Sequence, residues 1–148
     1  MEYLSLAISP FRSEMNTNYS ELYQQLNTNE KTYLSLFPEQ APVIRPTIAK
    51  AVAETKRRFS GSGHNTPADA FRHCFWSALL CKELGYRIAL RYTTVHEAYD
   101  RNPPAEKEMD LHNNAVGLKI GLSHAPDPIL SDRSIAALRS GRLKVLKR

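Results

Sequence analysis

Thr66-Pro67-Ala68-Asp69-Ala70-Phe71-Arg72-His73-Cys74-Phe75-Trp76-Ser77-Ala78-Leu79-Leu80-Cys81-Lys82-Glu83-Leu84-Gly85 is the stretch that decides the fold class of this chain. It opens with a strong helix start. Thr66 suits the N-cap, and Pro67 suits the first helical position, where its missing N–H is no loss. Asp69 in the first turn complements the helix dipole and closes a capping-box-like pattern with Thr66. Gly85 ends the helix. Residues 69, 73, 76, 80 and 84 share one helical face, so Asp69 and His73 extend the stripe that buries Trp76, Leu80 and Leu84.

Working outward, Ser60-Gly61-Ser62-Gly63 is the clearest break in the chain. Upstream, Pro46 is expected to open a helix over 46–59, with Ile48, Val52 and Thr55 or Phe59 on its stripe. Short helices over Tyr19–Leu26 and Glu30–Phe37 precede it. Downstream, helices are expected over Tyr86–Tyr99 and Ala105–Leu122, separated by the turn Asn102-Pro103-Pro104. Ala125-Pro126-Asp127-Pro128 breaks the chain again, Ser131 caps a helix to Arg139, and Ser140-Gly141 ends it. Leu143-Lys144-Val145-Leu146 alternates enough for a short strand or an extended tail. The pattern predicts a mainly α fold, a single compact bundle of about five to six helices. Residues 1–59 form an N-terminal helical segment packing on the core. Residues 60–148 carry the motif-bearing core and a basic tail, one domain overall.

With 148 residues, 42% hydrophobic and 24% charged, the chain is too apolar to be disordered. No apolar run approaches the ~20 residues of a membrane span, so no transmembrane segment is expected. Met1-Glu2-Tyr3-Leu4 lacks the basic start and apolar core of a classical signal peptide. The net charge of +5 is unevenly spread. Lys56-Arg57-Arg58 forms a knot, and Arg133, Arg139, Arg142, Lys144, Lys147 and Arg148 form a tail. Such patches either favour an anionic partner (phospholipid, envelope polymer or nucleic acid) or keep the surface solvated. Cys74 and Cys81 lie two helical turns apart, about 10.5 Å, too far for a disulfide between them. They read as small core residues of a reducing compartment.

The polar residues carry the functional signal. On the later helix, Met109, Asn113, Val116 and Ile120 form an apolar-facing stripe, and Asp110, Asn114, Gly117 and Gly121 lie beside it. Glycines four apart invite a close helix crossing, so Trp76, Leu80, Val116, Gly117 and Ile120 are expected in one core. The intervening helix contributes His96 and Glu97. Buried carboxylates need partners, and the geometry predicts that Asp69, His73, His96 and Asp110 converge on one solvent-reachable cleft. The catalytic candidates are His73, Asp69, His96, Glu97 and Asp110. His73 is the best general base or metal ligand, Asp69 or Asp110 orients it, and His96 and Glu97 supply a second ligand and acid/base group. His64, Arg72, Asn113 and Asn114 are the substrate-binding candidates, the asparagines as neutral donors to a substrate oxygen. Asp69, His73, His96 and Asp110 are the candidate ligands for a divalent metal, zinc or calcium, although His96-Glu97-Ala98-Tyr99-Asp100 is not the H-E-x-x-H zinc motif. A hydrolase working by acid-base or metal-assisted chemistry is the leading expectation. A nucleic-acid-directed toxin and a non-enzymatic binding module with a structural polar network stay open.

Three segments also carry a family likeness: His64-Asn65-Thr66-Pro67-Ala68-Asp69-Ala70-Phe71-Arg72-His73 through Trp76, then His96-Glu97, then Met109-Asp110-Leu111-His112-Asn113-Asn114-Ala115-Val116-Gly117. Over residues 64–121 the chain resembles a family of uncharacterised bacterial domains at the C-termini of polymorphic and Rhs-type toxins, wall-associated proteins and candidate secretion-system effectors. The resemblance implies a secreted antibacterial or host-directed effector. Such a protein is made in the bacterial cytoplasm and delivered to another cell or the envelope by a specialised secretion machine. It is paired with a cognate immunity protein. The resemblance implies no particular reaction.

Overall fold

The computed structural model of the chain describes residue 24 and residues 26–61 and 63–147. Among them are six α-helices and no strand: α1 (Thr28–Leu36), α2 (Ala41–Arg58), α3 (Pro67–Leu84), α4 (Tyr86–Glu97), α5 (Pro104–Gly121) and α6 (Asp127–Arg139). A 3-10 turn, Pro38–Gln40, joins α1 to α2. The mainly α bundle expected from the sequence is the fold observed. The helix expected over Tyr19–Leu26 falls largely outside the described residues. Among the described residues, no helix is long and apolar enough to cross a membrane.

Several helix starts differ from the sequence expectation, each for a local reason. Asn27 caps α1 through a reciprocal box: its side chain accepts from the Glu30 N–H at 2.8 Å, and Glu30 accepts from the Asn27 N–H at 2.9 Å. The helix therefore begins at Thr28. In α2, Pro42 and not Pro46 occupies the opening turn, and Pro46 lies inside the helix. The 3-10 turn feeds α2 directly, so the helix starts five residues early and forgoes one backbone bond at Pro46. α6 starts at Asp127, not Ser131, because Ser131 is buried and its hydroxyl is engaged with α2. Thr66 does sit at the N-cap of α3, yet its side chain makes no capping bond to the helix. Asp69 reaches back instead, accepting the Asn65 N–H at 2.7 Å. Leu143-Lys144-Val145-Leu146 forms no strand; it runs beside α5, where Asn113 and the Lys144 backbone exchange two hydrogen bonds.

α3 is the centre of the bundle and touches α2, α4, α5 and α6. It is buried on every side, since Ala70, Phe71, Cys74, Phe75, Ala78 and Leu79 are as covered as the Trp76–Leu80 stripe. Gly85, at φ 82°, takes the left-handed turn that folds α4 back along it. The glycines of α5 do what their spacing suggests. A Cβ on Gly117 would lie 2.0 Å from the Cys74 carbonyl oxygen, and one on Gly121 would lie 2.4 Å from that of Ala78. The core is divided more than expected. Trp76, Leu80 and Leu118 join the large cluster, while Val116 packs with Ala70, Cys74, Met109 and Leu143, and Ile120 touches both. Gly117→Ala should therefore lower stability by about 1–3 kcal/mol despite the better helix propensity of Ala, because a backbone carbonyl cannot yield. Thermal melting checks this against Gly61→Ala, where a Cβ meets nothing within 4 Å.

α2 is tied to α6 by a compact ionic knot. Glu54 Oε1 accepts from the Ser131 hydroxyl at 2.6 Å and from Arg58 Nε at 2.8 Å, and Arg57 holds Oε2 at 2.7 Å. Arg58 also reaches Asp132 at 2.6 Å. The Arg57 hydrogen bond leads the set of contacts that outweigh burial and hold the Glu54 carboxyl down to about 2. A depressed carboxylate stabilises above its unfolded value and loses that contribution as pH falls through the folded one. Stability should thus drop as pH falls from about 4.5 towards 2. Glu54→Gln should flatten that part of the denaturation-against-pH curve and cost about 1.5–3 kcal/mol at neutral pH.

Candidate functional site

Helix ends from three directions meet at His73. Asp69 and His73 occupy the first two turns of α3, His96 and Glu97 end α4, and Asp110 lies in the second turn of α5. His73 Nε2 lies 3.5 Å from Asp69 Oδ1 and 3.4 Å from Asp110 Oδ1. Its other nitrogen, Nδ1, lies 3.4 Å from Glu97 Oε1, which is also 3.9 Å from His96 Nε2. All five catalytic candidates are thus brought together around one imidazole.

They do not share one open cleft. Asp69 is 0% exposed, Glu97 1% and Asp110 2%, while His73 keeps 9%. Of the five, His73 and His96 line a cavity of about 300 Å³, together with Arg72 and Glu30 and with walls of Leu26, Ile48, Ala51, Val52 and Trp76. The expected cleft is therefore two-sided: a cavity on the His96 face of His73, and a closed carboxylate face behind it.

The expected metal set divides in the same way. One ligand atom each from His73, His96 and Glu97 lie within 4.8 Å of one another, and so do atoms from Asp69, His73 and Asp110. Either group of three can hold a metal ion. His96 belongs to one and the two aspartates to the other, with His73 common to both.

The substrate-binding candidates separate too. Arg72 lines the cavity and pairs with Asp69 Oδ1. His64 is exposed, 2.8 Å from Glu106 and 3.5 Å from Asp69 Oδ2. The two asparagines are buried and used internally, which corrects their reading as substrate donors. Asn113 is spent on the Lys144 backbone. Asn114 donates to Glu97 Oε1 at 3.1 Å and accepts from the Ser77 hydroxyl at 2.9 Å. Each amide makes its bonds inside the bundle, so neither reaches the cavity.

Two further carboxylates belong to the site. Glu30 Oε1 accepts from Tyr92 at 3.0 Å and from His96 Nδ1 at 2.6 Å. Glu106 holds His64 and the Asn65 side chain, both at 2.8 Å. The capping box of α1 marks Glu30 as a helix-start residue, but nothing local shows that the same side chain meets a histidine 66 positions away. Glu106 carries no sequence signal beyond its place in the first turn of α5.

The electrostatics follow from this crowding. Burial opposes a charge on His73, but Asp69, Glu97 and Asp110 outweigh it and raise its pKa to about 10. Burial also pushes Asp69 up, and His73, Arg72 and the Asn65 N–H more than offset that, bringing it down to about 2. Glu97 is likewise lowered, burial being outweighed by His73, His96 and Asn114. Asp110 goes the other way, to about 6, because burial and the charges of Glu97 and Asp69 exceed the pull of His73. With no other cation beside it, His73 carries its proton at neutral pH. A raised histidine pKa stabilises below the unfolded value and loses that contribution as pH climbs through the folded one. An NMR titration of chelator-treated protein should find the His73 ring protonated across neutrality, losing its proton only near pH 10. Asp69→Asn should bring that titration down towards the ordinary histidine value near 6.5.

An all-helical bundle built around a buried histidine–carboxylate centre is the class of protein this defines. A family model, Domain of unknown function (DUF6973), matches residues 33–141, and the chain belongs to that family. The match runs from the last turn of α1 to just past the end of α6, so it takes in α2 to α6 whole and leaves Glu30 outside. No solved structure matches the chain.

Proposed function

We propose that this chain is a hydrolase that uses the His73 centre on an anionic ester bearing an apolar arm, with phospholipid as the substrate class. The observation that carries the reading is the cavity beside His73. Its walls are apolar, and its polar end presents Arg72, His73 and His96, with Glu30 there held by His96 Nδ1 at 2.6 Å. An acyl chain suits the walls and an anionic headgroup suits the polar end; ligand sites commonly combine an apolar lining with a few convergent polar groups. His73 and the carboxylates around it supply acid-base chemistry or a seat for a metal that activates water. The motif-based resemblance supplies the context: a bacterial toxin or effector, delivered by a secretion machine and held in check by an immunity protein.

The nucleic-acid reading has weaker support. Arg57 and Arg58 are engaged by Glu54, Arg58 also by Asp132, and Lys144 by Glu108. Three residues of the basic knot and tail are therefore already paired within the fold. The structural-network reading draws on the burial of Asp69, Glu97 and Asp110. Against it stand His73 Nδ1 and Asp110 Oδ1, which are buried and lack a hydrogen-bond partner; a purely structural network should satisfy both.

The test is hydrolysis of anionic phospholipid vesicles by the purified chain, alongside growth of cells expressing it in cytoplasm or periplasm. His73→Ala should reduce turnover and toxicity by two or more orders of magnitude, about the scale of losing a general acid–base group. The melting temperature should show that the variant still folds. Equal hydrolysis by wild type and His73→Ala, or none by either on phospholipid, would overturn the reading.

A further inference from the structure

We propose that His73 Nδ1, His96 Nε2 and Glu97 Oε1 form a zinc site that opens on the cavity, with Asp69, Asp110 and Glu30 as its supporting carboxylates. The inference deepens the hydrolase reading by naming its cofactor, and it rests on that reading only for the ion's chemical role. Its basis is the direction in which each ring presents its two nitrogens. His96 donates Nδ1–H to Glu30 Oε1 at 2.6 Å, so in the neutral ring Nε2 presents a lone pair, and it faces Glu97 Oε1 at 3.9 Å. His73 turns Nε2 to Asp69 and Asp110, so its Nδ1 faces the same Glu97 oxygen at 3.4 Å.

Once His73 Nδ1 gives up its proton, three electron-pair donors point at one another, and a metal ion takes the place which that proton fills in the metal-free chain. His73 Nδ1 is buried, belongs to a ring only 9% exposed, and has no hydrogen-bond partner. A cation between the donors resolves the conflict. For metal–ligand distances of about 2.0–2.2 Å, a tetrahedron has edges of about 3.3–3.6 Å, the range of the His73–Glu97 spacing. Two histidines and one glutamate are a donor set used by catalytic zinc, which leaves a fourth position for water. Each histidine already has a carboxylate on its second nitrogen, the arrangement that fixes a metal-binding ring.

The other group, Asp69, His73 and Asp110, is the weaker seat. Arg72 already places a guanidinium on Asp69 Oδ1, and a second cation there would meet its repulsion. Two of its three members, Asp69 and Asp110, do not line the cavity, whereas His73 and His96 both do.

The experiment uses chelator-stripped, full-length protein titrated with zinc by calorimetry, and with cobalt for its visible spectrum. One zinc per chain should bind, and the cobalt form should show four-coordinate absorption. His96→Ala should abolish this uptake; His96 is the safer variant because its side chain is 35% exposed. Glu97→Gln should do the same, with its melting curve showing that it folds. Glu30→Gln should weaken binding by about 10–100-fold, as loss of a supporting carboxylate does. His112→Ala and His124→Ala should leave binding unchanged.

A folded chain that takes up no stoichiometric zinc overturns the inference. So does uptake that survives His96→Ala at full affinity but is lost in Asp110→Asn, which would put the ion on the far side of His73. Phospholipid hydrolysis by protein that binds no zinc overturns this site and leaves the hydrolase reading standing. Zinc uptake without hydrolysis does the reverse.

Discussion

Helix α5 lies backbone against backbone on α3, so tightly that Gly117 has no room for a methyl group beside the Cys74 carbonyl. Everything at the site depends on that approach. Asp110, Asn114, Gly117 and Gly121 form one strip of α5, so the glycines that close the gap also aim the two polar residues at α3. Asn114 then meets Ser77, and Asp110 meets His73. A bulkier strip would lift α5 away and separate the carboxylate from the imidazole. The energetic penalty of glycine in a helix is accepted here for position, and the core packing around Leu118 and Met109 offsets it.

Bringing the helices together so closely creates an electrostatic problem. Asp69, Glu97 and Asp110 are withdrawn from water within a few ångströms of one ring, and isolated buried carboxylates are strongly disfavoured. The fold answers with local charge and local donors: Arg72 and the Asn65 N–H on Asp69, Asn114 on Glu97, and the imidazole among all three. Asp110 receives the least and is the carboxyl whose pKa rises. Two of the buried polar atoms without a hydrogen-bond partner, His73 Nδ1 and Asp110 Oδ1, belong to this centre, the second facing His73 Nε2 at 3.4 Å. A centre so rich in acceptors is short of positive charge, and that shortage is the common root of the raised histidine pKa and of the proposed zinc site.

The N-terminal elements matter to the site as much as the motif helices do. α1 supplies Glu30, which secures His96 through Nδ1, and α2 supplies Ile48, Ala51 and Val52 to the cavity wall. Asn27 reinforces the link by donating to the His96 carbonyl at 2.8 Å. Residues 26–59 therefore supply one wall of the site, and removing them would expose Trp76 and the His96 edge together.

The sequence by itself determined the helical class, the boundaries of α3, the close glycine crossing and the gathering of His73 with Asp69, His96, Glu97 and Asp110. These rest on the 3.6-residue period and on short-range capping, both legible along the chain. Helix starts at Thr28, Ala41 and Asp127 were less legible, because a capping box, a 3-10 turn and a buried serine hydroxyl each moved a boundary. What only the tertiary structure decided was how the polar residues divide. Periodicity places a residue on a face but does not say which neighbour will take its hydrogen bonds. Asn113 and Asn114 are adjacent in sequence, yet one faces the C-terminal tail and the other Glu97, because successive helical residues point about 100° apart. Glu30 and His96 are joined only by the packing of α1 on α4. That packing, and the choice of which face of His73 meets the cavity, arise from contacts between distant segments, where no local pattern in the chain can record them.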